Sequence, residues 1–236
     1  MIELTKVLGI IPARKGSKRI IGKNIKPLCG KPLFAYTFEV AKRATALHRL
    51  IVSTNDEAVM MLAKEYGIEV PFVRPDEFAT DTATDFDWIS HAVTELKKTS
   101  WCPTHVVILR PTQPLRRPED IDEAVRKIIA HDFDSLRSLT KVTAHPYWMK
   151  KLEGDVATRF IDLGVPDERL RSQDLPPLYR LNGIVDVINV RNLQRNELYG
   201  QTMGYILIEE ERAVDIDTEL DFRYAEFLLK EGGFTF

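Results

Sequence analysis

The sequence predicts an α/β fold in which a mostly parallel sheet is covered by helices. Short apolar runs, each about as long as a buried strand, alternate with longer amphipathic segments of helical period, and this alternation is typical of βαβ units. Of the 236 residues, 44% are hydrophobic and 29% are charged, so the chain can bury a full core without disulfides or metal ions. We therefore expect a single domain over residues 1–236.

Six apolar runs are the predicted strands. In chain order they are Val7–Ile11, Leu50–Ser53, Val70–Val73, Val106–Leu109, Ile184–Val190 and Tyr205–Ile208. The segments between and after them have apolar residues at helical spacing, and several begin with proline or with the acidic residues favoured in a first helical turn. These predicted helices are Leu33–Ala46, Asp56–Tyr66, Phe86–Lys98, Pro118–Ala130 and Thr218–Lys230.

The alternation lapses over residues 140–181. Aromatic, charged and proline residues follow one another there without a helical or alternating period. The segment could be a lid, a dimer arm or an irregular surface loop. Its content of Tyr, Trp and Arg favours an arm or the wall of a binding site, because these residue types are enriched at interfaces. We predict that this excursion from the sheet contributes to dimerisation or to a substrate site.

Charge and cysteine content exclude several classes of protein. Lys and Arg total 33 against 35 Asp and Glu, a formal charge of −2, so no global positive field exists to hold nucleic acid, although a local basic patch could bind a small polyanion. Cys29 and Cys102 could form at most one bridge and have no metal-binding spacing, which excludes a disulfide scaffold or a zinc ribbon and favours the reducing cytoplasm. No apolar stretch approaches the roughly 18 residues of a membrane span, and the N-terminus lacks the order of a signal peptide.

A basic loop containing glycine follows the first predicted strand. The motif is GIIPARKGSKRIIGKN, Gly9 to Asn24. Ligands usually bind at the carboxyl end of the first strand of an open α/β sheet. Glycine lets backbone N–H groups approach oxygen atoms, and lysine and arginine neutralise phosphate charge. The motif is neither a P-loop nor the GxGxxG of a dinucleotide site. It predicts a polyphosphate site, and a solvated basic turn is the alternative.

Two aspartates near the C-terminus are candidate metal ligands. Asp215 and Asp217 lie in the motif VDIDTELDF, and an extended backbone would place both carboxylates on one face. Carboxylate oxygens suit a Mg²⁺ ion that is shared with phosphates. Spacing alone leaves the assignment open, because three other Asp-x-Asp pairs occur, most of them typical of acids in a first helical turn or on the surface. They are Asp85/Asp87, Asp120/Asp122 and Asp132/Asp134.

Taken together, the motifs resemble those of the cytidylyltransferases that make CMP-activated acid sugars, the CMP-N-acetylneuraminate synthetase family. The segments that carry the resemblance are IIPARKGSKRIIGKN, PLCGKPLFAYT, IVSTNDE, EVPFVRPDEFATDTATD, LRPTQPLRRPEDIDEA, HPYW, QDLPPLYRLNG and VDIDTELDF, in the family's order. The resemblance implies a Rossmann-like nucleotidyltransferase sandwich, a homodimer, and Mg²⁺-dependent transfer of CMP from CTP to a 2-keto-3-deoxy acid sugar of the sialic-acid type, with release of pyrophosphate. Nucleic acid and membranes are not expected partners.

The resemblance also implies roles for individual residues. Nucleotide contacts are implied for Ala13, Arg14, Ser17, Lys23, Asn24, Arg74 and Asp85. Catalytic roles are implied for Arg14, Lys23 and Asp217, and metal binding for Asp215 and Asp217. Contacts with the acceptor sugar are implied for Arg110, Gln113, Arg171, Arg180 and Asn182.

Several residues depart from the pattern of the family, mostly on the acceptor side. They include Lys15 for a common glycine, Asp85 for serine, Arg110 and Gln113 for glutamine and serine, Ser172 for a basic residue, and Ile184–Asp186 for Ala-Ile-Tyr. Asp85 could equally cap the predicted helix at Phe86. Arg110 could hold an additional carboxylate or phosphate, match a different hydroxyl pattern, or form a structural ion pair. The sequence therefore does not name the sugar.

Two other functions stay open at this point. A related nucleotidyltransferase could join an NTP to a sugar 1-phosphate, with Arg110 holding the phosphate of the acceptor. A nucleotide-binding regulator without catalysis is disfavoured, because both the phosphate loop and the metal pair look intact.

Overall fold

The computed structural model describes residues 5–16, 19–161, 164 and 171–231, without the side chain of Ser172. Within these residues one sheet has six strands. They are β1 Val7–Ala13, β2 Arg49–Thr54, β3 His105–Ile108, β4 Ser135–Lys141, β5 Tyr179–Asn189 and β6 Met203–Leu207. The α-helices are α1 Leu33–Arg43, α2 Glu57–Glu65, α3 Asp85–Lys98, α4 Pro118–His131 and α5 Glu219–Glu231. None of these helices is long and apolar enough to span a membrane.

Shorter elements decorate this framework. Two small antiparallel ribbons pair Pro27–Leu28 with Lys31–Pro32 and Lys150–Glu153 with Val156–Arg159. Short 3₁₀ helices lie at Lys23–Ile25, Asp76–Phe78, Pro146–Trp148, Ser172–Asp174, Val190–Arg195 and Glu210–Arg212.

The sheet is mostly parallel, as predicted, and its strand order is β6-β4-β5-β3-β1-β2. Strands β2, β1 and β3 are parallel neighbours, and so are β4 and β6. Strand β5 is antiparallel to both of its neighbours, β3 and β4. Because β4 and β3 therefore run in the same direction, the carboxyl ends of all five parallel strands lie at one edge, where β5 begins.

Both faces of the central strands are buried, which explains their continuous apolar character. On one face Val7 and Ile11 of β1 join a cluster with Phe34 and Phe38 of α1. On the other face Leu8 and Ile10 of β1 pack in a cluster with Trp88 and Leu96 of α3. The alternation of side chains along β1 thus fixes which helix covers which face.

One predicted strand was wrong, and one strand of the sheet was missed. Val70–Val73 forms no strand: the chain makes a single bridge, Glu69 to Ile51, and Pro71 has no N–H with which to continue a ladder. The strand Ser135–Lys141 was missed, because its buried positions include Ser135, Ser138 and Thr140 and so it lacks the apolar run of a central strand. Ser138 and Thr140 are paired with the Asn182 side chain of β5.

The chain leaves the sheet between Lys141 at the end of β4 and Tyr179 at the start of β5. These limits lie close to the expected excursion over 140–181. Because β4 and β5 are antiparallel, the excursion departs from and returns to the edge at which the parallel strands end. Its role in dimerisation or acceptor binding stays a prediction.

One buried arginine connects the loop after β3 to β5. Arg116 is only 1% exposed. Its guanidinium donates to the carbonyl oxygen of Ile184 at 2.5 Å, to that of Arg110 at 2.8 Å and to the hydroxyl of Thr37 at 3.2 Å. Burial lowers the pKa of Arg116, and the acceptors around it offset part of the cost of desolvation. The loop is therefore held by a residue with little freedom to be replaced.

Replacing Arg116 with Met should lower the free energy of unfolding by about 2–4 kcal/mol, because buried acceptors would lose their donor. Chemical denaturation measures this loss. The matched control is Arg223→Met on the exposed side of α5, which should change stability by no more than about 0.5 kcal/mol. Equal effects of the two substitutions would contradict the anchoring role of Arg116.

Candidate active site

Two adjoining cavities open at the carboxyl end of β1. We call the first, of about 240 Å³, the basic cavity; its lining includes Arg19, Lys23, Asn24, Thr112 and Asp217. The second, of about 250 Å³, is the aromatic cavity, and its lining includes Arg74, Phe78, Asp81, Asp85 and Trp88. Pro12, Ala13, Arg14 and Arg110 line both. The position agrees with the rule that ligands of open α/β sheets bind beyond the carboxyl ends of the strands.

Cations surround one carboxylate in the basic cavity. The Lys23 ammonium donates to the carbonyl oxygen of Ile216 at 2.8 Å and lies 3.3 Å from a carboxylate oxygen of Asp217. Arg19 approaches the other oxygen of Asp217 at 3.0 Å. Gly22 has a φ of +64° immediately before the one-turn helix that contains Lys23, a conformation that suits glycine. With Arg14 and Arg110 added, cations outnumber carboxylates in this lining, which favours an anionic ligand.

Asp215 and Asp217 flank the buried Ile216. The N–H of Ile216 donates to the carbonyl oxygen of Thr112 at 2.9 Å, which ties this segment to the loop after β3. Desolvation raises the pKa of Asp215 against the lowering effect of a hydrogen bond with Thr112, and the negative charge of Asp217 raises it further. The two carboxylates are thus close enough to interact.

The pair fits a magnesium ion by the chemistry of its donors. Mg²⁺ prefers oxygen ligands and is commonly bound by one or two carboxylates together with substrate phosphates and water. Among the residues that the structure describes, no group of three or more His, Cys, Asp or Glu side chains is arranged to hold a metal. Asp215 and Asp217 would therefore need ligand oxygens to complete a coordination shell.

In the aromatic cavity a buried arginine is fixed beside a tryptophan. Arg74 is 4% exposed, donates to the hydroxyl and the carbonyl oxygen of Ser53 at 3.0 and 2.6 Å, and lies 5.1 Å from the centre of the Trp88 ring. Burial lowers the pKa of Arg74 to about 10, so it stays charged at neutral pH. Arg14 forms an ion pair with Asp81 at the wall of the same cavity.

A charge cluster of Asp85, Arg110, Asp186 and Arg137 lies where the cavities meet. Arg110 bonds Asp85 at 2.6 Å and approaches Asp186 at 3.4 Å. Arg137 bonds the same Asp186 at 3.0 Å. Asp85 is the first residue of α3, and the helix is capped instead by Asp87, which accepts from the backbone and hydroxyl of Thr84. Asp85 therefore does not cap the helix.

Gln113 and Asn182 lie behind the wall of the site. Gln113 donates to the carbonyl oxygen of Asn182 at 2.8 Å, and both side chains are buried. The Asn182 amide accepts from Ser138 at 2.5 Å and donates to Thr140 at 2.8 Å. Between these side chains and Arg110 lies Gly183, with a φ of +74°. In this structure Gln113 and Asn182 support the wall, and their contact with an acceptor stays a prediction.

The other predicted residues are more dispersed. Arg180 donates to the carbonyl oxygen of Ala213 at 3.3 Å, near the segment of Asp215. Arg171 is exposed in the excursion and pairs with Asp174 at 2.6 Å. Ser17 lies outside the described residues. The acceptor roles of Arg171 and Arg180 and the nucleotide role of Ser17 stay predictions.

Sequence reasoning did not single out Trp88, Arg137 or Tyr199. Trp88 follows Asp85 by three residues, and side chains at this spacing are neighbours on a helix. The Trp88 indole N–H donates to the Asp85 carboxylate at 3.0 Å. Arg137 belongs to the missed strand β4, and its guanidinium lies 4.3 Å from the ring centre of Tyr199. Only the spacing of Asp85 and Trp88 was visible in the sequence.

Comparisons with known proteins agree with this geometry. Residues 8–228 match the family model described as cytidylyltransferase. The chain is 29% identical over 227 residues to the CMP-N,N′-diacetyllegionaminic acid synthase of Legionella pneumophila, covering 95% of this chain and 97% of that protein. It is 32% identical over 220 residues to an N-acylneuraminate cytidylyltransferase of Streptococcus agalactiae, covering 92% of this chain and 52% of that protein. It thus spans about half of the streptococcal relative.

A solved structure has the same fold. It is that of CMP:2-keto-3-deoxy-manno-octonic acid synthetase complexed with CTP, with a TM-score of 0.72 and 16% sequence identity. The alignment covers 97% of this chain and 100% of the other. At this level of identity the likeness supports the fold.

Proposed function

The chain belongs to the cytidylyltransferase family, and we propose that it transfers CMP from CTP to a 2-keto-3-deoxy acid sugar, a sialic-acid-like nonulosonate, and releases pyrophosphate. It is a nucleotidyltransferase, and the relatives compared above are by name a CMP-N,N′-diacetyllegionaminic acid synthase and an N-acylneuraminate cytidylyltransferase. One observation of the structure supports the proposal most strongly: the basic cavity lies beside the Asp215 and Asp217 pair at the carboxyl end of β1. Such a site suits a triphosphate bound with a divalent cation.

We assign the phosphates of CTP to the basic cavity and the nucleoside to the aromatic cavity. Arg14, Lys23 and Asn24 line the first and would hold the triphosphate, with Ala13 beside them. Arg74 and Asp85 line the second and would contact the nucleoside. The α-phosphorus would then lie where the cavities meet, since Ala13 and Arg14 border both.

Catalysis would rest on position and charge. The anomeric hydroxyl of the acceptor would attack the α-phosphorus, forming a new P–O bond as the bond to pyrophosphate breaks, and its proton would pass to solvent water. Transfers of this kind need little covalent help from the protein, so alignment and neutralisation of charge supply most of the acceleration. Arg14 and Lys23 would stabilise the charge that develops on the departing pyrophosphate.

Asp215 and Asp217 would hold Mg²⁺ together with phosphate oxygens. The bound ion would neutralise phosphate charge and lower the pKa of the attacking hydroxyl. In the structure Lys23 and Arg19 occupy the Asp217 carboxylate, and both cations would turn to the phosphates once the carboxylate binds the metal. Lys23 is thus placed to serve either partner.

The acceptor would lie on the side of Arg110, near the excursion. Arg171 and Arg180 would hold its carboxylate. A sugar 1-phosphate acceptor is disfavoured, because the Arg110 guanidinium that would have to meet its phosphate already bonds Asp85 at 2.6 Å.

We also propose that the protein acts in the cytoplasm on small molecules. Its two cysteines, Cys29 and Cys102, are unpaired, which suits a reducing compartment. The formal charge of −2 does not favour nucleic acid as a partner.

Pyrophosphate release tests the reaction. The protein is incubated with Mg²⁺ and each of CTP, UTP, ATP and GTP, against N-acetylneuraminic acid, N,N′-diacetyllegionaminic acid, 3-deoxy-octulosonic acid and a set of sugar 1-phosphates. We expect release with CTP and at least one keto acid. Turnover with a sugar 1-phosphate and with no keto acid would refute the proposal.

Asp217→Asn should lower kcat/KM by roughly 100-fold, equivalent to about 2.7 kcal/mol of transition-state stabilisation, because one metal-binding carboxylate is lost. The same assay with varied Mg²⁺ should show that the variant needs more of the ion. Asp132→Asn is the control, since Asp132 is exposed at the end of α4. Its backbone φ of +50° is one that asparagine also adopts readily. Full activity in Asp217→Asn would remove the metal role of this residue.

We propose that the protein is a homodimer that uses the sheet edge near the excursion. Leu207, Leu139 and Leu181 lie side by side across β6, β4 and β5, and Leu207 and Leu181 are 54% and 45% exposed. The ribbon in the excursion adds Leu152 and Val156, both exposed. Adjacent exposed apolar side chains of this kind mark protein interfaces.

Sedimentation at micromolar concentration should detect a dimer, and Leu181→Glu should convert it to a monomer, because a buried unpaired charge opposes association. Met61→Glu on α2 is the control: Met61 is 64% exposed, and α2 packs beside β2, at the opposite end of the strand order from β6. A wild-type protein that sediments only as a monomer would contradict the proposal.

A further inference from the structure

The charge cluster gives Arg110 two carboxylate partners. Its Nη2 atom lies 2.6 Å from Asp85 Oδ2 and 3.4 Å from Asp186 Oδ2, and its Nη1 atom lies 3.4 Å from Asp85 Oδ1. Burial alone would lower the pKa of Arg110, but the hydrogen bond and charge of Asp85, followed by the charge of Asp186, raise it. An anion of the acceptor would have to compete with both carboxylates for this guanidinium.

The partners of Asp85 all lie toward the aromatic cavity. Its Oδ1 atom accepts from the Trp88 indole at 3.0 Å, and the Trp88 ring lies 5.1 Å from the Arg74 guanidinium. Desolvation would raise the pKa of Asp85, but the hydrogen bond and charge of Arg110 outweigh it and hold the pKa below the ordinary value. Asp85 is therefore an ionised carboxylate with fixed geometry in the wall of the aromatic cavity.

The backbone of Arg110 is fixed as well. Its carbonyl oxygen accepts from the buried Arg116 at 2.8 Å. Side chain and main chain of Arg110 are thus both held before any ligand binds, which is the condition for orienting another group accurately. An arginine whose role was to bind the acceptor would not need carboxylates to hold its guanidinium in this way.

We propose that Arg110 is a positioning residue for the nucleotide, which holds the Asp85 carboxylate against CTP and does not bind the acceptor itself. This inference rests on the proposed use of CTP. Asp85 accepts hydrogen bonds only, so it would take an N–H or O–H donor of the nucleoside. The exocyclic amine of cytosine and the 2′- and 3′-hydroxyls of the ribose are the donors that CTP offers.

Calorimetric titration with CTP, UTP and 2′-deoxy-CTP, each with Mg²⁺ and without acceptor, tests the inference. Asp85→Asn and Arg110→Gln should each weaken CTP binding about tenfold, and the double variant should be no weaker than Asp85→Asn, because the two residues act as a unit. Arg110→Lys should recover part of the loss. A loss of the preference for CTP over UTP identifies the amine as the donor, and a loss of the preference over 2′-deoxy-CTP identifies the 2′-hydroxyl. Weaker binding with both preferences kept identifies the 3′-hydroxyl.

Steady-state kinetics with N,N′-diacetyllegionaminic acid separate the two sides of the site. Arg110→Gln should raise KM for CTP and leave KM for the acid unchanged. The control Arg195→Gln removes an arginine that bonds Asp134 outside both cavities and should change neither. Unchanged CTP binding in both Arg110→Gln and Asp85→Asn, or a rise confined to KM for the acid, would overturn the inference.

Absence of CTP binding and failure of a variant to fold have separate meanings. A wild-type protein that binds no CTP would refute the proposed function itself. If Arg110→Gln does not fold by circular dichroism, Arg110→Lys and Asp85→Asn decide the question, because each keeps the volume and polarity of the side chain it replaces.

Discussion

A buried guanidinium fixes the loop that connects two parts of the candidate site. Arg116 bonds the carbonyl oxygens of Arg110 and Ile184, and so couples the loop after β3 to the strand that runs against the others. The same loop carries Thr112, whose carbonyl oxygen receives the N–H of Ile216 between the two metal-binding candidates. A planar group with five donors can satisfy several carbonyls at once. The segment of Asp215 and Asp217 and the charge cluster are thus both connected to the loop that Arg116 holds.

The charged side chains of the site form ion pairs with one another, and a ligand that binds them must replace one partner of each pair. Lys23 and Arg19 hold Asp217, and Arg14 holds Asp81. Each pair keeps a charged group near the place where it would act. The Lys23 side chain, 13% exposed, is the least accessible of the five to water, so its interaction with Asp217 is the least screened. A net charge of −2 over the chain therefore says little about the local field, because bases and acids are sorted by position.

Much of the fold and the location of the site could be predicted from the sequence, since apolar period reports burial and the first strand leads directly into the basic motif. At Val70–Val73 hydropathy alone gave the wrong answer. The apolar residues suggest a strand, but Pro71 has no N–H to donate to a neighbouring strand. Strand β4 is the opposite case, a buried strand with polar residues. Ser138 and Thr140 can be buried because they hydrogen-bond Asn182, a residue more than 40 positions away. The charge cluster depends on the same long-range register, so its pairs could not be read from local spacing.

The reversed direction of β5 has a consequence for how this protein can diversify. The excursion begins at Lys141 and ends at Tyr179, a pair of residues that face each other in the ladder between β4 and β5. Its stem is closed by main-chain hydrogen bonds, so insertions, deletions or exchanges within it leave the register of the sheet untouched. The segment between Lys141 and Tyr179 can therefore change in length and composition beside the candidate site, while the strands that position Arg14, Arg74 and Arg110 keep their geometry.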